Sequence, residues 1–476
     1  MQGEQGRGAQ GRQGSKAFLI ASIGAQACAL LRYALLARLL GPEQLGLAVA
    51  LILTAQFFES VTDSGGDRFL VQDQRGDEQE VQKLVHLVWL LRGAFIAGSI
   101  ALLATPLARF YGEPELVVGF LILAFSPLIA GLAHLDYRRT QRTSDFRGEA
   151  RVLLLSELAS LLVTAVAAWL LRDFTAILYG LVVRSGVIVI VSHLTATRAY
   201  RAGYSAEHGS RLAGFAWPLM LNGLLFFLGS QGDRLLIGKE VGLTELGFYS
   251  AALLLILYPT AILQRFITTM HLPLIAGASA GPDRQAAADR LAGQTLLLTV
   301  AMLVGFTAVA PPVIPLVFGP DFRQPASLIA LIAILQTSRF LRLWPVTIAL
   351  SIGRSRTVLV SNLLRLLAYP FAFLAMQVED SLLGILIGLT LAEALALFVT
   401  LLLVSRHLGL RLLSGLSRLL FFLVCSGLAL GCASLAEQGA RGPFALLAAA
   451  LLALLALLAF RERRTLSDLL AFARRR

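Results

Sequence analysis

The stretch FAWPLMLNGLLFFLGSQGDRLLIGKEVGLTELGFYSAALLL, residues 215–255, holds two apolar runs joined by a short polar link, with Asp233 and Arg234 set inside the first run. Extended by their neighbours to 213–238 and 246–272, both runs reach the roughly twenty residues that a helix needs to cross a ~30 Å hydrocarbon layer. Run, short link and run again is the pattern of a polytopic helical membrane protein. An acid and a base inside such a run are costly in lipid and therefore point inward, toward function or partners.

Outward from 215–255 the pattern repeats. Apolar stretches of span length can be placed fourteen times between 17–40 and 443–460. The expected fold is therefore all-α and polytopic, with about fourteen transmembrane helices. With 57% hydrophobic and 15% charged residues, the chain is far more apolar than a soluble domain, whose charged fraction is about 25%. Residues 1–16, MQGEQGRGAQGRQGSK, lack the apolar core of a signal peptide and read as a disordered cytoplasmic tail. Residues 461–476 read as a second, basic tail.

The net charge of +12 would suggest nucleic acid in a soluble protein, but the sorting of the basic residues points elsewhere. Of the 41 Lys and Arg, 27 fall outside the spans on one side and 6 on the other. The positive-inside rule assigns the rich side, with both termini, to the cytoplasm. That is expected to be the cytoplasmic face of a bacterial inner membrane, with no nucleic-acid partner. Cys28, Cys425 and Cys432 make no C-x-x-C pair and the six histidines are scattered singly, so no metal site and no cofactor is expected. The outer connections are short and DQRGDEQE, residues 73–80, is the one acidic cluster in the loops. Neither offers a catalytic constellation, which argues for a transporter and against a membrane glycosyltransferase or ligase.

An internal repeat divides the spans. LLGPEQLGLAVALIL, residues 39–53, matches EVGLTELGFYSAALLL, residues 240–255, with Gly41 and Gly46 falling on Gly242 and Gly247. A weaker echo pairs TPLARFYG, ending at Gly112, with PPVIPLVFG, ending at Gly319. The offset spans six helices, an even number, so the two halves should enter the membrane in the same orientation. The expected organisation is a six-helix lobe over 17–204, a second over 205–410, and helices 13 and 14 over 411–460.

Eight arginines lie inside the spans: Arg32, Arg92, Arg184, Arg234, Arg265, Arg339, Arg342 and Arg365. Each costs about 2.5 to 3.5 kcal/mol at the centre of a lone helix, so a lipid-facing place is disfavoured. Four acids in the spans, Glu59, Glu157, Asp233 and Glu393, are too few to neutralise them. A net positive interior suits an anionic cargo. Arg339 and Arg342 are three apart and share a helix face; Arg365 follows Asn362 by three, and Arg265 follows Gln264.

RLLGPEQLGLAVA (38–50), DSGGDRFLVQ (63–72), FYGEPEL (110–116) and above all 215–255 make the chain resemble the multidrug/oligosaccharidyl-lipid/polysaccharide flippase superfamily. Within it, the polysaccharide-transporter branch of O-antigen and exopolysaccharide flippases is the nearest likeness. The resemblance implies movement of a polyprenyl-diphosphate-linked oligosaccharide from the cytoplasmic to the periplasmic leaflet. The partners implied are that lipid-linked glycan, membrane lipids and polysaccharide polymerase or chain-length machinery. Guanidinium groups bind diphosphate oxygens in a fork that Lys cannot offer. The candidate substrate-binding residues are thus Arg32, Asp233, Arg234, Arg265, Arg339, Arg342 and Arg365, with Glu59 and Glu393 as candidate counter-charges and Pro218 and Pro259 as candidate hinges. The rival reading is a drug/cation antiporter of the same superfamily, for which carboxylates and a less basic interior are expected.

Overall fold

The computed structural model describes residues 2–277, 282–379, 381–408 and 411–463; most of the basic segment 461–476 lies outside them. Secondary structure among the described residues is helical throughout. Twelve helices are long and apolar enough to cross a membrane, and the chain is a multi-pass membrane protein. The first of the twelve, Ala17–Val61, is folded back at Gly41. Counting it as two and adding the shorter apolar helix Leu116–Ala130 recovers the fourteen segments read from sequence.

Chain packing separates two compact units, Met1–Gly247 and Phe248–Arg476. The first contains α1 (Gln2–Val61), α2 (Gly66–Gln72), α3 (Gln79–Leu102), α4 (Ala104–Tyr111), α5 (Leu116–Ala130), α6 (Asp136–Arg139), α7 (Arg147–Leu171), α8 (Thr175–Thr195) and α9 (Ala206–Glu240). The second is built from α10 (Leu243–Ala276), whose first turn belongs to the first unit, followed by α11 (Pro282–Phe318), α12 (Ala326–Leu341), α13 (Leu343–Ser351), α14 (Ser355–Arg365), α15 (Ala368–Met376), α16 (Leu382–Leu408), α17 (Leu412–Glu437) and α18 (Arg441–Arg461). The division falls one helix later than the repeat boundary at 204/205, because α9 packs along α1 and also touches α2, α3 and α4. Residues 2–16 continue α1.

Three of the span interruptions fall just ahead of prolines. A proline removes the hydrogen bond to the carbonyl four residues upstream and crowds it. α3 ends at Leu102, four before Pro106; α12 ends at Leu341, four before Pro345; α14 ends just short of Leu366, four before Pro370. By contrast α9 runs unbroken through Pro218 and α10 through Pro259. The two candidate hinges therefore sit in continuous helices, and the interruptions lie elsewhere.

Four of the repeat glycines have a positive φ. Gly41 and Gly242 have φ of 81° and 126°, and Gly112 and Gly319 have φ of 78° and 115°, conformations that side chains with a Cβ rarely adopt. Gly46 and Gly247 serve a different need. A Cβ on Gly46 would fall 1.7 Å from the Leu243 carbonyl oxygen, and one on Gly247 would fall 2.0 Å from the Pro42 carbonyl oxygen. At the repeat offset Pro42 answers to Leu243 and Gly46 to Gly247, so the contact is reciprocal. The second limb of α1 and the first turn of α10 approach backbone to backbone, as small residues allow between membrane helices.

Candidate functional site

Each unit buries, within its spans, a carboxylate bonded to more than one arginine. In the first unit Glu157 on α7 is 7% exposed and Arg32 on α1 is 6% exposed. Arg32 Nη1 donates to Glu157 Oε2 at 2.9 Å and to Ser160 Oγ at 2.7 Å, while Arg184 Nε on α8 donates to Glu157 Oε1 at 2.5 Å. Each carboxylate oxygen thus has its own arginine within bonding distance, and three helices are tied at one point. Charge-assisted bonds of this length are about twice as strong as neutral ones.

In the second unit Glu393 on α16 is 3% exposed and meets three arginines from two helices. Arg342 Nε lies 2.9 Å from Oε1, whereas Arg365 Nε and Arg339 Nε lie 3.4 and 3.9 Å from Oε2. Arg342 sits where the Pro345 break separates α12 from α13. It also donates to Ser361 Oγ at 2.9 Å and to Asn362 Oδ1 at 3.5 Å. Arg339 Nη1 reaches Gln336 Oε1 at 3.4 Å, and Gln336 in turn donates to the Tyr249 hydroxyl at 3.4 Å.

The structure therefore brings Arg339, Arg342, Arg365 and Glu393 together in the second unit; Arg32 belongs to the first. Asp233 is buried on α9 and accepts the Arg234 backbone N–H at 2.9 Å. Arg234 beside it is half-buried, with Nε lacking a hydrogen-bond partner among the described residues. Arg265 lies on an exposed face of α10. Glu59, a candidate counter-charge, lies in the field of Arg92 and Arg184, and Arg92 donates to its backbone carbonyl at 2.7 Å. The acid that bonds arginines directly within the first unit's spans is Glu157, which lies in the middle of a long helix with nothing beside it in sequence to mark its partners.

The segment 63–72 is held by backbone contacts to a distant arginine. Arg142 Nη1 donates to the carbonyls of Leu70, Val71 and Asp73 at 3.0, 2.9 and 2.6 Å, satisfying the C-terminal carbonyls of α2 where a cation is favoured. Beside it Asp136 accepts from Arg139 Nε at 2.6 Å and from the Thr197 amide and hydroxyl, both at 2.7 Å. Burial alone would raise this carboxyl, but the bonds from Arg139 and Thr197 outweigh it and hold the group well below the usual carboxylate range. His86 Nδ1 donates to the Arg201 carbonyl and Nε2 accepts from the Leu135 amide, both at 3.0 Å. His134 likewise donates to the Arg198 carbonyl at 2.9 Å and accepts from the Asp136 amide at 3.1 Å. Both nitrogens of each ring are spent on backbone. His271 is buried against Gln294.

Similarities to known proteins agree with this architecture. A family profile described as polysaccharide biosynthesis protein matches residues 35–326. The succinoglycan biosynthesis transport protein ExoT of Rhizobium meliloti (strain 1021) is 26% identical over 304 residues, which is 63% of this chain and 61% of ExoT. The match thus spans less than two thirds of that relative's length. The teichuronic acid biosynthesis protein TuaB of Bacillus subtilis (strain 168) is 23% identical over 69% of this chain and 68% of its own. Among solved structures, the lipid II flippase MurJ in an inward closed conformation superposes with a TM-score of 0.68 at 13% identity, covering 94% of this chain and 99% of MurJ. An inward-facing multidrug resistance MATE family transporter of the MOP superfamily superposes with a TM-score of 0.64 at 15% identity, covering 81% and 94%. These two likenesses concern the fold.

Proposed function

The chain belongs to the polysaccharide biosynthesis protein family, and on that premise we propose that it is a flippase carrying a polyprenyl-diphosphate-linked oligosaccharide from the cytoplasmic to the periplasmic leaflet. The observation that carries this reading is the meeting of three guanidinium groups on the one carboxylate of Glu393. Unbalanced arginines in a membrane interior are expensive unless an anion visits them. A lipid diphosphate brings about two negative charges and several acceptor oxygens, which planar guanidinium groups take in a fork. A drug/cation antiporter needs the opposite sign in its interior, so this cluster favours the anionic cargo even though the fold also serves MATE transporters.

In this reading the protein lies in the bacterial inner membrane with both termini in the cytoplasm and hands its cargo to polymerase and chain-length machinery on the far side. The chemistry is transport, with no covalent step. With the cytoplasm negative, outward movement of the headgroup gains about 2.3 kcal/mol per charge per 100 mV, provided the arginines stay fixed in the field. The test is a deletion strain labelled in its lipid-linked glycans. Loss of the protein should halt polymer export while lipid-linked intermediate accumulates in the cytoplasmic leaflet. Unchanged export, or loss of export without accumulation of the lipid-linked intermediate, would remove the proposal.

A further inference from the structure

The two clusters differ in how well their carboxylates are served, and the difference singles out one group. Glu393 makes one ideal bond, to Arg342 at 2.9 Å, and is stretched between Arg365 and Arg339 at 3.4 and 3.9 Å. Charge-assisted N–H···O bonds settle at about 2.7 to 2.9 Å, so Oε2 satisfies neither of its two arginines. Arg342 is anchored independently through Ser361 and Asn362, and the Thr400 hydroxyl lies 2.8 Å from that of Ser361. Arg365 has no such second anchor: among the described residues its one side-chain partner is Glu393. Four of its five N–H donors are therefore unspent.

We propose that Glu393 is a positioning residue that stands in for the oxygens of an anionic cargo, holding Arg365 poised until a dianionic phosphate group takes it over. This rests on the flippase reading and specifies how the site in the second unit receives and releases its ligand. The charge arithmetic supports an exchange. Three guanidinium groups share one carboxylate, and a lipid diphosphate brings about two further negative charges to them. The ligand offers Arg365 two oxygens at bonding distance in place of one at 3.4 Å, while Glu393 keeps its bond to Arg342. When the ligand leaves, Glu393 recovers Arg365, so the carboxylate competes with the cargo and keeps binding reversible. A carrier needs that competition, because a site that only attracts would retain what it should release.

The test uses full-length protein in nanodiscs with geranylgeranyl diphosphate as the anionic probe and geranylgeraniol as the uncharged control, read by equilibrium binding. Glu393→Gln keeps the side chain's size and removes the competing charge. It should bind the diphosphate about tenfold more tightly, a change of about 1.4 kcal/mol, and in a proteoliposome assay it should release its cargo more slowly, so that half-saturation and maximal rate fall together. Arg365→Gln should bind about tenfold more weakly with an unchanged melting temperature, and Glu393→Gln should give no gain in the Arg365→Gln background. Wild-type protein that takes up the diphosphate while Glu393→Gln binds it no better would overturn the exchange and leave the flippase reading standing. If Glu393→Gln fails to fold, Arg365→Gln decides: diphosphate binding equal to wild type sinks the proposal. Wild-type protein that does not distinguish the diphosphate from geranylgeraniol would remove the flippase reading and the exchange with it.

Discussion

Glu157 and Glu393 occupy comparable places, a buried acid among arginines, yet they are set to different purposes. Glu157 holds two arginines at 2.9 and 2.5 Å, one on each oxygen. Glu393 holds one arginine well and two poorly. A saturated carboxylate locks helices together, and α1, α7 and α8 meet at Glu157 for that reason. An unsaturated one leaves charge to spend on something that arrives. Counting intramembrane arginines does not separate these cases; the distances do.

The comparison breaks most visibly at Glu157. Removing one partner of a buried pair leaves charge uncompensated and costs about 3 to 5 kcal/mol. Glu157→Gln should therefore lower unfolding free energy in detergent by that amount, clearly more than Arg365→Gln does. Equal losses for the two variants would mean that the two clusters are not different in kind.

Rigidity of the first unit is tested next at the backbone contact between α1 and α10. Gly46→Ala places a Cβ against the Leu243 carbonyl, and overpacking of this kind costs about 1 to 3 kcal/mol. Gly247→Ala should cost a similar amount because its contact with Pro42 is the counterpart. A thermal melt in which either alanine is neutral would contradict the close approach.

A smaller effect is expected at Asp136, whose carboxyl sits below its unfolded value of about 3.9 because of Arg139 and Thr197. A lowered native pKa adds stability that is fully present above the unfolded value and is lost as pH falls through the folded one. Wild type should exceed Asp136→Asn in melting temperature by a constant margin at neutral pH. The margin should shrink only below about pH 4. A gap that closes between pH 7 and 6 would point to a different group.

The smallest loss is expected at Pro218, where α9 is already continuous. Pro218→Ala restores a backbone N–H toward the Gly214 carbonyl, so stability should stay level or rise rather than fall. A larger loss in transport than in stability would restore Pro218 as a hinge.

Much of this architecture is legible in the sequence because the bilayer imposes it. Span length follows from hydrocarbon thickness, which made the apolar segments countable, and the twelve long helices with the folded first one and the short α5 agree with that count. The repeat at Gly41/Gly242 was legible because left-handed backbone leaves a glycine behind. The helix breaks were legible in principle from Pro106, Pro345 and Pro370, but Pro218 and Pro259 carry the same letter without the same result, since neighbouring packing decides whether a freed carbonyl interrupts a helix. Arg339 and Arg342 could be placed on one face by their spacing. Their meeting with Arg365 and Glu393 could not, because it depends on how α12, α14 and α16 pack. Glu157 was hidden for the same reason, as its arginines come from 125 residues upstream and 27 downstream.

The most direct test of the central claim is reconstitution of the purified protein in proteoliposomes holding a fluorescent polyprenyl-diphosphate oligosaccharide on one leaflet, with movement followed by quenching from the other side. Wild-type protein should move the diphosphate-linked glycan, and an inside-negative potential should speed its passage away from the negative side. Arg365→Gln should slow that movement at least about tenfold without unfolding. Movement that is equally fast for Arg365→Gln, or that is absent for wild type while cationic drugs are carried, would contradict the account.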